Sequence, residues 1–138
     1  MSIGDGWFDI IDMLCANIQN RIDNVERQRK YAIEWNEDVN DPDYVWDKFG
    51  QREEREVPEL VDQVVATQIK EKFGTLRFYY SGGDEYIRGL ESMAESMSAR
   101  ICEDCGSPGV ARSTKKQRWV RVLCENHATE QGYIEDSD

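Results

Sequence analysis

Near the start of the chain Trp7, Ile11, Leu14, Ile18, Ile22 and Val25 recur at three- and four-residue steps, the spacing of one apolar helix face. Asp5 is placed to cap such a helix, which the pattern predicts to run to about Arg27 with Trp7 and Phe8 packed at its start. Cys15 falls among Ile11, Leu14 and Ile18 and reads as a buried, inert thiol. Over residues 28–58 the period fades into a polar stretch with a turn signal at Asp41-Pro42-Asp43. Tyr31, Trp35, Tyr44, Trp46 and Phe49 are scattered through it. Residues 61–69 are rich in β-branched side chains, Glu71-Lys72-Phe73-Gly74 offers a turn, and Leu76, Phe78 and Tyr80 then alternate onto one face, together predicting a β-hairpin. Alternation sets Lys70, Lys72 and Arg77 on the face opposite the apolar rings. After Ser81-Gly82-Gly83, Asp84 can cap a second helix lined by Ile87, Leu90, Ala94, Met97 and Ile101, with Met93 and Met97 as core filler.

The candidate chemistry lies beyond that helix. Cys102-x2-Cys105 is followed, after eighteen residues, by Cys124-x2-His127. Two pairs of soft ligands, each closing a tight turn, match the tetrahedral Cys3His pattern of structural zinc, so Zn2+ is the expected cofactor. Gly106 supplies backbone freedom behind the first pair. Residues 118–123, with Trp119 beside Val120, Val122 and Leu123, read as a strand delivering Cys124, and 125–133 as a helix starting at the second pair. Knuckle, hairpin and helix in that order suggest a treble-clef or zinc-ribbon-like finger. Residues from Cys102 onward hold few large apolar side chains to offset their ordering entropy, so a metal is needed to fold them. A Cys102–Cys105 redox pair would leave the second pair unexplained.

The expected architecture is therefore α+β. Residues 1–101 form a core with an acidic, aromatic insertion at about 28–60, residues 102–134 a zinc finger, and 135–138 an acidic tail. A metal with four protein ligands has no open position for a substrate. His127 is the sole histidine, so none remains as a general base. Neither a Gly-rich phosphate loop nor the zinc-deaminase pattern is visible. The expectation is a binding protein and not an enzyme. No basic segment leads an apolar run at the N-terminus, and nowhere do eighteen apolar residues follow one another; the chain is expected in the cytoplasm, away from membranes.

Charge decides between partners. The net charge of −11 repels a phosphate backbone at long range, and eleven acids fall between Glu34 and Asp62 against Lys48, Arg52 and Arg55. Acids interleaved with rings allow two readings, a loop laid over the core with its rings inward or a surface for a basic protein partner. In the second, Trp35, Asp38, Asp41, Asp43, Tyr44, Trp46 and Asp47 make the contacts. By contrast 106–123 holds no acid. There Arg112, Lys115, Lys116, Arg118 and Arg121 offer an alternative, a nucleic-acid interface in which Trp119 stacks on a base.

The segment from Lys70-Glu71-Lys72-Phe73-Gly74-Thr75-Leu76-Arg77-Phe78-Tyr79 to the helix ending in Ile101-Cys102-Glu103-Asp104-Cys105-Gly106 resembles a family of small proteins encoded by tailed bacteriophages and prophages. These pair such a hairpin with a C-terminal Cys-x2-Cys and Cys-x2-His. The resemblance covers roughly 4–26 and 64–127, leaving 28–58 as what is peculiar to this chain. It implies an accessory protein in the cytoplasm of a bacterial host, acting on a host machine or a defence system, as an anti-CRISPR inhibitor does.

Overall fold

The computed structural model describes residues 1–44, 53–116 and 118–135; Trp46 and Asp47 lie outside the described residues. A 3-10 turn, Asp5–Trp7, leads into helix α1, Phe8–Asn40. Ile10, Ile11, Leu14, Ile18, Ile22 and Val25 form its buried stripe. The hairpin follows as β1, Val65–Lys72, and β2, Thr75–Ser81, and then helix α2, Glu85–Ser98. Leu76 and Phe78 from β2, Ile87 and Ala94 from α2, and Trp7 close one core against that stripe. β3, Val110–Ser113, β4, Val120–Leu123, helix α3, Glu125–Gln131, and β5, Ile134–Glu135, complete the chain. The antiparallel order of the second sheet is β4-β3-β5. The class is α+β, as the patterning predicts.

Helix α1 runs thirteen residues past its expected end at Arg27, which is the largest difference from the sequence reading. Its distal half is held by polar contacts to an extended strand of chain, so hydrophobic period does not reveal it. Arg29 Nη1 donates to the Pro58 carbonyl at 2.8 Å and Trp35 Nε1 to the Glu53 carbonyl at 2.8 Å. Asn36 pairs with the Arg55 backbone in both directions, at 2.9 and 2.7 Å. Pro42 ends the helix by barring the α region to Asp41, whose ψ is 114°.

Three placements are corrected. Phe8 is 60% exposed where Trp7 is fully buried; one step along a helix turns a side chain by about 100°. Cys15 is exposed for the same reason, one position past Leu14. Met93 and Met97 are exposed as well. They rim an open apolar groove of about 270 Å3 with Met13, Leu14 and Leu90, because α1 covers only one flank of α2.

Two polar devices fix α2. Asp84 caps it, accepting from the Ile87 N–H at 3.1 Å, while its other oxygen pairs with Arg21 of α1 at 2.9 Å. Ser98, fully buried, accepts from the Leu76 N–H at 2.9 Å and donates to the Glu95 carbonyl. Between them, desolvation and a hydrogen bond with Glu95 push Glu91 up to about 7, with Arg77 opposing the shift. The folded state then holds a proton that the unfolded chain releases near 4.5, so stability falls as pH rises from about 4.5 to about 7 and the loss is complete above that. Glu91→Gln is expected to raise the melting temperature at pH 8 and flatten its pH dependence across that window. Thermal melts of both proteins check this; an unchanged slope would show that Glu91 does not share a proton with Glu95.

Candidate metal centre

The first ligand pair is presented by a knuckle that follows α2. The Cys102 N–H donates to the Ser107 carbonyl at 2.7 Å and the Gly106 N–H to the Cys102 carbonyl at 2.9 Å. Gly106 sits at φ 83°, a region costly for any residue with a Cβ. The β3–β4 hairpin carries the chain across to Cys124, the N-cap of α3, and one helical turn then brings His127 back over it. Gly132, left-handed at φ 73°, ends that helix.

The three thiols and the imidazole meet, with all four ligand atoms within 4.8 Å of one another. Cys105 Sγ and Cys124 Sγ are 3.8 Å apart, and His127 Nδ1 is 3.2 Å from Cys124 Sγ and 3.7 Å from Cys102 Sγ. The sulfur separation is far beyond a disulfide bond. It equals the edge of a tetrahedron built on metal–sulfur bonds of about 2.3 Å, which is about 3.8 Å. The donor set and its spacing fit a metal ion. Hydrogen bonds with Ser107 hold Cys105 down at about 6, and a backbone N–H at His127 lowers Cys124. Burial pushes Cys102 up. Two of the three sulfurs are thus biased toward the thiolate that a metal binds.

The knuckle is clamped from the far end of the chain. Gly6 N–H donates to the Glu103 carbonyl at 2.7 Å, Gly4 N–H to Glu103 Oε2 at 3.0 Å, and Trp7 Nε1 to the Ile101 carbonyl at 2.9 Å. Glu103, 5% exposed, also faces Arg121 at 3.3 Å, and Arg121 meets Asp104 at 2.7 Å. The spacing of the ligands carries no sign of Glu103 or of these glycines. Only an acid set inside the Cys-x2-Cys loop hints at them.

Searches against protein-family models, curated proteins and solved structures found no match.

The structure places the other candidate residues as follows. Trp35 is half-buried on α1 under the Arg55 guanidinium, 3.9 Å from its ring centre. Asp38 lies on the same helix, Asp41 caps its end, and Asp43 and Tyr44 follow in the exposed turn. On the finger, Lys115, Lys116, Arg118 and Trp119 are exposed. Arg121 is committed to Glu103 and Asp104, and Arg112 Nε to the Leu123 carbonyl at 3.0 Å. Among the described residues no helix is long and apolar enough to cross a membrane.

Proposed function

We propose that Cys102, Cys105, Cys124 and His127 hold one structural Zn2+ and that the chain is a non-catalytic binding protein. Its acidic arm docks on a basic surface of a host protein. The observation that carries the reading is the distal half of α1, extended beyond the core and strapped rather than buried. It presents Tyr31, 69% exposed, with Glu34, Glu37 and Asp38, ahead of Asp41 and Asp43. A rigid helix holds these carboxylates at fixed spacing, which favours a partner that carries Lys and Arg in register. Surfaces of that kind bind nucleic acid, so an acidic arm that occupies one acts as an inhibitor. An anti-defence role in the cytoplasm of a phage-infected bacterium accords with the resemblance drawn from the hairpin and ligand words.

The test compares the metal-loaded protein with a variant carrying Glu34→Lys, Glu37→Lys, Asp38→Lys and Asp41→Lys as baits in bacterial lysate. The expected result is a basic protein retained by the first, released by salt and lost by the second. Equal retention by both baits would remove the acidic arm from the interaction.

A further inference from the structure

Among the described residues only Phe73 and Arg118 combine a side chain with a positive φ, at 52° and 50°. Both line one groove of about 670 Å3 between the tip of the β1–β2 hairpin and the finger. Left-handed backbone is rare for bulky residues and marks a position held against strain. Packing does not offset it, because Phe73 is 77% exposed and Arg118 is exposed as well, next to Trp119 at 66%. The tight turn at Phe73-Gly74 is of the kind that favours Asn or Asp before Gly, so a phenyl ring there is not set by the turn. A Cβ on Gly74 would stand 2.9 Å from Val120 Cγ1, and that close approach seats the hairpin tip against β4.

The polar groups that line the groove or stand beside it are sorted by charge. Glu71 accepts from the Gly74 N–H at 2.7 Å, and Glu103 is bonded to Gly4 and Arg121; both acids are satisfied internally. Lys72 Nζ lies 5.7 Å from the centre of the Phe73 ring. Arg118 has no carboxylate partner among the described residues, and Lys115 and Lys116 are exposed on the same turn. We infer that this groove binds a short stretch of single-stranded nucleic acid, with bases on Phe73 and Trp119 and phosphates at Lys72 and Arg118. Exposed rings flanked by unpaired cations are how such strands are held without sequence readout. The interface differs from the one expected on the finger alone: Arg112 and Arg121 are spent on internal contacts, and the second ring comes from the hairpin. The inference is independent of the acidic arm.

The metal-loaded full chain is titrated with oligo(dT) and oligo(rU) of about eight nucleotides at about 50 mM salt, read by anisotropy and indole quenching. Binding to either is expected, weakening with salt because the phosphate contacts at Lys72 and Arg118 release counterions from the strand. Trp119→Ala and Phe73→Ala should each weaken it about tenfold. Phe73→Asn is the decisive variant, since it relieves the turn: melting temperature should rise while affinity falls. Failure of both oligonucleotides to bind at about 100 μM protein, where non-specific nucleic-acid contacts are already measurable, overturns the inference. So does unchanged affinity in Phe73→Asn, or capture of an acidic peptide in place of the oligonucleotides.

Discussion

Stripping the metal with a chelator is expected to unfold residues 102–134 while the helical core persists. The finger's own apolar cluster is Cys102, Leu123 and Ala128, with Cys124 and Tyr133 partly buried against it. Two of those five belong to the candidate metal cluster, so without an ion the segment holds little that could offset about 1–2 kcal/mol of backbone entropy per residue. Zinc binding supplies about 10 kcal/mol to units of this kind. The core around α1 and α2 has its own buried set from Trp7 to Ala94 and needs no ligand. Amide spectra with and without chelator should lose the dispersed signals of β3, β4 and α3 and keep those of α1. Cys124→Ser should reproduce the change in untreated protein, because one missing thiolate opens the tetrahedron. Elemental analysis should return about one zinc per chain. Protein that carries no transition metal, or a finger that keeps its signals after chelation, sinks the metal reading.

Legibility in the sequence followed the kind of interaction that holds each part. The cysteine–histidine cluster was readable because metal geometry ties residue type to spacing, and Cys102, Cys105, Cys124 and His127 do converge. The start of α1, the hairpin and α2 were readable because each buries an apolar face with a regular period. The distal half of α1 was hidden because Asn36, Trp35 and Arg29 hold it through backbone carbonyls and amides, and such contacts leave no period. Met93, Met97 and Cys15 were misplaced because apolar spacing marks a helix face but not how far a neighbour covers it. The groove between Phe73 and Trp119 joins residues 46 positions apart, and no local pattern announces that pairing. The clamp of Gly4, Gly6 and Trp7 on the knuckle is longer-range still.

That clamp yields the second large effect, a pair of glycine-to-alanine substitutions of opposite sign. A Cβ on Gly6 would lie 2.1 Å from the Cys102 carbonyl oxygen and 2.6 Å from both the Glu103 carbonyl oxygen and the Gly106 nitrogen. All three are backbone atoms of the ligand knuckle, so no side chain can swing aside. Either the knuckle or the start of α1 must move, and Gly6→Ala is expected to cost about 3 kcal/mol. The displacement would also break the Gly6–Glu103 bond and loosen the pairing of Trp7 with Ile101, so metal affinity should fall together with core stability. Gly89, in the middle of α2, meets nothing within 4 Å. There an added methyl only lowers the entropy of the unfolded chain, and Gly89→Ala should stabilise by about 0.5–1 kcal/mol. Denaturant melts of both variants, with a competitive chelator titration of Gly6→Ala, measure the two effects. A Gly6→Ala protein with native stability and metal affinity would mean that the N-terminal turn does not rest on the knuckle, and the coupling of core to finger would fall with it.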